Sequence, residues 1–216
     1  MKTLKEQTDA KIAQGRKAKP EFMQGVDDII LKAKAFKQGE KAIKIGENAP
    51  HFNLPDANGD IISLSTLLHK GPVVVTFYRG SWCPYCNLQL RALQAKLDEI
   101  KALGANLIAI SPEVPDGSMT ENEISKMDFI VLSDQDAKVA SAYGVAWEVP
   151  DFLMEHMRVD RKLDLENINN GNKNILPIPA TFILSKDGVV IWNYVNVDYR
   201  TRSEPDDIIE ALKSLS

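Results

Sequence analysis

Apolar positions along the chain switch between two periods, and the switches mark out the elements. Phe22, Val26, Ile29, Ala33 and Phe36 recur every three or four residues, so the segment before residue 40 is expected to be helical. Lys19-Pro20 interrupts whatever precedes it, which leaves the first eighteen residues as a separate helix or a loose arm. From Ile45 the pattern changes. Phe52-Asn53-Leu54 and Ile61-Ile62-Ser63-Leu64 flank the turn-rich Pro55-Asp56-Ala57-Asn58-Gly59-Asp60 and predict a β-hairpin. A short helix over Ser63 to His69 then leads to Val73-Val74-Val75-Thr76-Phe77-Tyr78, a run that suits a strand buried on both faces.

Leu90, Leu93, Leu97 and Ile100 predict one helix closed by Gly104, and Leu107-Ile108-Ala109-Ile110 a further buried strand. Strand, helix and strand at this spacing form a βαβ unit. A strand at Phe129 to Leu132, a helix from Asp136 to Tyr143 and a polar, irregular stretch over about 146–176 follow. Thr181–Leu184 and Val189–Val195 form a second hairpin around Lys186-Asp187-Gly188. The last helix is expected to start at a Ser203-x-x-Asp206 capping box with Pro205 at its first position, burying Ile208, Ile209, Leu212 and Leu215. The sum is an α/β fold: a mixed central sheet flanked by helices, with an N-terminal helical extension at 1–43 and the main domain at 44–216.

Charge refines this outline in one place. Residues 1–45 hold eleven Lys/Arg against six Asp/Glu, so the arm is basic while the chain as a whole carries −4. An acidic total argues against nucleic acid as a partner; the arm is either a solvated helix or docks on the acidic body or a partner subunit. No stretch approaches the roughly 18 apolar residues of a membrane span. The first residues lack the apolar core of a secretory signal, and two cysteines make no extracellular disulfide framework. A reducing cytoplasm is the expected setting.

Both cysteines lie in Cys83-Pro84-Tyr85-Cys86, where a buried strand gives way to a helix. Free N–H groups and the helix macrodipole put positive potential there, favouring thiolate, the nucleophilic form. Cys86 falls on the same side of the first turn, so an oxidised partner can be captured as a disulfide with little backbone movement. Half of a zinc site is the competing possibility, but His51, His69 and His156 are scattered without ligand spacing. No metal and no cofactor is expected. Arg79 supplies a cation four residues before Cys83. It either reaches the sulfur or points away and pairs with an acid.

Several segments carry a family resemblance. Ile45-Gly46-Glu47-Asn48-Ala49-Pro50-His51-Phe52-Asn53-Leu54, Asp128-Phe129-Ile130-Val131-Leu132-Ser133-Asp134, Ala142-Tyr143-Gly144-Val145 and Thr181 to Gly188 resemble the peroxiredoxin (alkyl hydroperoxide reductase and thiol-specific antioxidant, or redoxin) family. The resemblance implies a thioredoxin-like fold. The active-site loop departs from that family's Pro-x-x-x-Thr/Ser-x-x-Cys: Arg79 stands at the Pro, Cys83 at the Thr/Ser, and Cys86 at the attacking Cys. Trp82-Cys83-x-x-Cys86 is instead similar to thioredoxin, in which the first Cys attacks, and Pro84-Tyr85 is the glutaredoxin inner pair. Ile178-Pro179-Ala180-Thr181 resembles the thioredoxin cis-proline loop, which would leave the Ile178 backbone free to pair with an extended peptide or glutathione. Pro179 also occupies the place of the family's later arginine.

These features imply a thiol-dependent peroxidase that reduces hydrogen peroxide or small organic hydroperoxides through a Cys83–Cys86 dithiol–disulfide cycle, recharged by thioredoxin or glutathione. The alternatives are a thioredoxin- or glutaredoxin-like disulfide reductase with no peroxide step, and a redox-responsive interaction module. The family register favours Cys86 for peroxide; helix-terminus physics favours Cys83 for disulfides. Trp82, Pro84, Tyr85, Ile178 and Pro179 are expected to wall the substrate groove. Arg200 and Arg202 either replace the missing arginine or, as the sequence favours, are surface charges. Trp147 and Glu148 are placed at the border of the site, and the histidines have no role. A homodimer is expected, because the apolar stripe of the N-terminal helix needs a cover.

Overall fold

The computed structural model describes residues 2–114 and 127–215. Its centre is a five-stranded mixed sheet. The middle strand β3 (Val73–Phe77) is buried at every position, as its β-branched run predicts. It pairs in parallel with β4 (Asn106–Ser111), which pairs in parallel with β5 (Ile130–Ser133). On its other side β3 meets β8 (Ala180–Leu184) antiparallel, and β9 (Val190–Val195) closes the predicted hairpin. The early hairpin is β1 (Asn53–Pro55) with β2 (Ile61–Ser63), followed by α3 (Leu64–Lys70).

The helix predicted over residues 90–100 is two helices, α4 (Pro84–Ala95) and α5 (Leu97–Ala102). At Lys96 the backbone tightens to a Lys96 N–H to Leu93 carbonyl bond, and the side chain turns out to Glu99 and Asp206. All four leucine and isoleucine positions are still buried, because the period survives the break. After the short α6 (Lys138–Ala142), the polar stretch proves to be structured. It holds β6 (Ala146–Glu148) paired with β7 (Ile175–Pro177), α7 (Asp151–Glu155) running into a π-helical turn at His156–Asp160, and α8 (Leu165–Ile168). Elements of three to five residues are too short to show a period.

The last helix, α9 (Pro205–Lys213), has Pro205 at its start but no capping box: Glu204 is the N-cap, and the Ser203 hydroxyl bonds Thr181 instead. Its buried face is Ile208, Ile209 and Leu212; Leu215 is exposed.

The basic arm is a helical hairpin, α1 (Leu4–Ala18) and α2 (Pro20–Ala35), broken at Lys19-Pro20 as the sequence indicates. A Thr3/Glu6 capping box starts α1. The hairpin lies on the body of its own chain. Glu204 accepts from the Leu4 and Lys5 N–H groups, and Asp27 on α2 pairs with Arg200 at 2.7 Å. Met23, Val26, Ile30 and Ala33 are buried there, so the apolar stripe is covered without a second subunit. Phe36, counted in that stripe, is instead 85% exposed, since it lies beyond the end of α2.

Candidate active site

The site begins where β3 ends. Tyr78 still donates its N–H to the Ile110 carbonyl, keeping the chain in register, and Arg79 turns inward at 4% exposure. Gly80 makes the turn at φ +147°, and a Cβ there would sit 2.3 Å from the Trp82 indole nitrogen, so only glycine fits. Ser81 donates its N–H (2.8 Å) and its hydroxyl (2.6 Å) to the buried Glu113 carboxylate, which fixes the loop. Cys83 is the N-cap residue of α4, with Pro84 at its first position. Cys86 sits in the first turn. Both thiols are reduced and buried.

The two sulfurs are not equivalent. Burial pushes the Cys83 thiol up, but a hydrogen bond from Cys86 and the charges of Arg79 and Arg202 outweigh it and hold Cys83 well below the ordinary thiol range. Cys86 moves well above that range, first through burial and then because it donates to Cys83 and faces its charge. Arg202 opposes this upward shift. The pair is polarised, with negative charge favoured on Cys83 and the proton on Cys86. Arg202 in turn places Nη2 3.0 Å from the Cys86 sulfur, its other nitrogen donating to the Tyr199 and Thr201 carbonyls.

Arg79 does not pair with an acid. Its guanidinium stacks on Tyr199 at 4.4 Å and over Trp82 at 5.2 Å, and Nη2 reaches the Met157 sulfur at 3.6 Å. With no carboxylate on it among the described residues, its charge stays available to the thiolate.

Behind the sulfurs lies a buried polar cluster. Gln89 on α4 donates to Thr76 on β3, Thr76 bonds Thr181 on β8, and Thr181 bonds Ser203. These four residues tie α4, the sheet and the Arg202 loop into one frame, so the cysteines and Arg202 keep their spacing.

In front of the sulfurs lies a cleft of about 460 Å³. Arg79, Trp82, Cys83, Pro84 and Tyr85 line it, as the sequence leads one to expect. Cys86 does not reach it and sits behind Cys83. Ile178 and Pro179 are elsewhere. No peptide bond among the described residues is cis, so Pro179 is trans. The Ile178 N–H is already bonded to the Val145 carbonyl and its side chain is fully buried. The open backbone edge of a cis-proline loop is therefore not formed. Trp147 and Glu148 are also away from the cleft: β6 pairs with β7, and Glu148 accepts from Asn174.

The opposite wall comes from the two segments whose place the sequence left open. Lys11 and Gln14 of α1, Phe22 and Met23 of α2, and Leu153, His156 and Met157 of the α7 segment close over Cys83, joined by Arg161. Phe22 stacks on Phe152 at 5.6 Å and meets the His156 ring at 3.8 Å, while His156 Nδ1 bonds Asp160. Arg161 donates to the Trp82 carbonyl. His156 thus has a place in the wall, although sequence spacing gave it none. Arg202, read as a surface charge, is 7% exposed, and Glu113 was not singled out at all. The sequence hint for Arg202 was slight: two arginines next to a proline-started helix.

Comparison with known proteins shows the family and the fold. The pattern of the AhpC/TSA family matches residues 45–193. Peroxiredoxin Bcp of Escherichia coli is 28% identical over 171 residues, covering 79% of this chain and 96% of its own. A putative peroxiredoxin of Mycobacterium tuberculosis is 34% identical over 152 residues, covering 70% of this chain and 85% of its own. Among solved structures, peroxidoxin BcpB of Mycobacterium tuberculosis superposes with a TM-score of 0.62 at 22% identity, over 81% of this chain and 99% of its own. A peroxiredoxin 6 mutant of Arenicola marina reaches 0.63 at 19% identity, over 81% of this chain and 74% of its own. These two likenesses bear on the fold.

Proposed function

The chain belongs to the AhpC/TSA family, and from that membership and the polarised thiol pair we infer that it is a thiol-dependent peroxidase working through Cys83 and Cys86. The observation that carries this reading is the position of Cys83 on the cleft beside Arg79, with Cys86 and its Arg202 contact behind. Cys83 attacks the outer oxygen of hydrogen peroxide or a small organic hydroperoxide. The O–O bond breaks, the sulfur loses two electrons, and water or an alcohol leaves with a proton. Arg79 stabilises the negative charge that grows on the leaving oxygen. The Cys83 sulfenic acid then condenses with Cys86, expelling water and forming the disulfide. A thiol reductant, thioredoxin or glutathione, returns both cysteines to the thiol state.

This assigns the attack to Cys83, not to the position the family register favours. The physical ground is position and charge: both thiols are buried, but Cys83 lines the cleft and is the lowered one, whereas Cys86 is outside the lining and raised. A disulfide reductase acting on proteins is disfavoured by the roof over Cys83 and by the occupied Ile178 N–H.

Residues 1–43 are proposed as an extension that walls the site of a 44–216 domain. A reducing cytoplasm suits the free thiols, and no described helix is long and apolar enough to cross a membrane. A homodimer is retained on resemblance and on Leu31 and Phe36, which stay exposed on and beyond α2. Steady-state consumption of hydrogen peroxide with thioredoxin or glutathione, beside reduction of insulin disulfides, tests the function. Peroxide turnover with slow insulin reduction is expected; the reverse overturns it.

A further inference from the structure

Among the described residues that line the cleft, the charges are one-sided: Lys11, Lys19, Arg79 and Arg161 are cationic, and none of the described lining residues is Asp or Glu. This occurs in a chain whose net charge is −4. The walls between the cations are apolar, from Phe22, Met23, Leu153, Met157, Trp82 and Tyr199. Lys19 pairs with Asp160 at 3.8 Å, and Arg161 donates to the Trp82 carbonyl and lies over its ring. Arg79 is committed to the thiolate, so Lys11 and Arg161 face the entry path with no ion pair among the described residues, and Lys19 beside them is shared with Asp160.

Hydrogen peroxide is small and neutral and gains nothing from such a rim. The step that does gain is reduction of the disulfide, which needs an incoming thiolate. The two sulfurs are again unequal for that step. Cys83 is the one a molecule in the cleft can strike, and Cys86, with Arg202 3.0 Å away, is the one whose departing negative charge is held. The cleft under the roof of α1, α2 and α7, about 460 Å³, has the size of a small-molecule site.

We propose that the cationic, roofed cleft takes a low-molecular-weight thiol bearing carboxylates as the reductant of the Cys83–Cys86 disulfide. This rests on the peroxidase reading above and names its reductant class. The thiolate attacks Cys83, the Cys83–Cys86 bond breaks, and Cys86 leaves as a thiolate beside Arg202 and takes up a proton. The mixed disulfide on Cys83 places its carboxylates against Lys11, Lys19 and Arg161. A second thiolate attacks the small molecule's sulfur, releasing the low-molecular-weight disulfide and the Cys83 thiolate. Two thiols thus supply the two electrons.

The test uses full-length protein oxidised to its disulfide with an azodicarboxamide, so that no peroxide step is involved. Reduction is followed by stopped-flow tryptophan fluorescence with glutathione, N-acetylcysteine and the neutral N-acetylcysteine amide, each rate expressed per thiolate. The two acids are expected to outrun the amide by about tenfold, an advantage that shrinks with added salt. In the Lys11→Gln/Lys19→Gln double variant the ratio of acid to amide should fall towards one; a ratio read within one variant is insensitive to partial misfolding. Equal per-thiolate rates, an unchanged ratio in the variant, or reduction by thioredoxin faster than by all three would overturn the proposal. So would a charge preference found only for carboxylate-bearing hydroperoxides in the oxidation step. Failure of peroxide to oxidise Cys83 at all would instead overturn the peroxidase reading, and the two failures are separately visible.

Discussion

The floor and the roof of the cleft are built on different principles. The floor is a frame of long-range register: β3 buried throughout, parallel to β4 and antiparallel to β8, with Gln89, Thr76, Thr181 and Ser203 bonded across it. The roof is two amphipathic helices and one short segment, held by Glu204 at the start of α1, the Asp27–Arg200 pair and ring contacts around Phe22. A rigid floor fixes the spacing of two sulfurs and two guanidinium groups, where small displacements change charge–charge energies steeply. The roof sets what reaches the sulfur. Chemistry therefore belongs to the floor and selection to the roof, and substitutions should divide along that line.

The sharpest break is in the floor. Cys83→Ser is expected to abolish peroxide oxidation, including the first turnover, while Cys86→Ser should keep a single turnover and lose the cycle. Stopped-flow oxidation followed by sulfenic-acid trapping reads both. If Cys86→Ser loses the first turnover and Cys83→Ser keeps it, attack belongs to Cys86 and the assignment by access is wrong.

Next in size come the two arginines. Arg79→Met or Arg202→Met removes a charge that lowers the Cys83 thiol, and each should slow peroxide attack by at least about tenfold, or about 1.4 kcal/mol in the barrier. The pH profile carries the sign. The thiolate is the reactive form, so the wild-type rate should fall as pH drops through the lowered Cys83 pKa. In either variant that fall should move to higher pH. An unchanged profile with an unchanged rate would make the arginine structural.

How far these two regions could be read from sequence differs for the same physical reason. The floor announces itself locally: Val73 to Tyr78 reads as a buried strand, and Cys83 to Cys86 as a helix start, because each depends on neighbours in the chain. The α4/α5 break at Lys96 escaped, since burial of Leu93 and Leu97 is the same with or without it. Arg202 escaped because its partner lies 116 residues away, and nothing near it in the chain marks it as buried. Pro179 was misplaced by resemblance: the Ile178 N–H that a docking loop needs is spent on Val145. Nearly all of the roof was illegible. Helix α2 showed its apolar stripe, yet a stripe does not say what covers it, and the α7 segment was too short to show one.

Loosening the roof without touching the floor should affect selection first. Deletion of residues 2–35 opens the cleft wall formed by Lys11, Phe22 and Met23. The truncated protein should reduce insulin disulfides several-fold faster than the intact chain while keeping the lowered Cys83 thiol. It should also bind an apolar dye, because the body surface under Val26 and Ile30 is uncovered. Thiol titration beside insulin turbidity measures this, and loss of the lowered thiol on truncation would show that the roof also holds the floor.

The smallest effect expected is at Gly25, and it distinguishes the two regions at the scale of one methyl group. Gly25 faces Phe152 so closely that a Cβ would lie 2.5 Å from the ring. Gly80 is crowded to a similar degree by Trp82, at 2.3 Å, but in addition it holds φ at +147°. Gly25→Ala suffers overpacking only, and Phe152 is partly exposed and free to swing outward, so the cost should sit near the low end of the range, about 1 kcal/mol. An alanine at a helix interior also recovers up to about 1 kcal/mol of backbone entropy, so global stability should change little. What moves is the contact of α2 with α7, and hence the rate at which the cleft opens. Gly80→Ala, by contrast, displaces Trp82 and the loop that presents Cys83, and should cost activity outright. Urea unfolding and peroxide turnover of the two variants, run side by side, are expected to give near-wild-type values for Gly25→Ala and a clear loss of turnover for Gly80→Ala. Equal losses at both positions would mean that floor and roof are one mechanical unit.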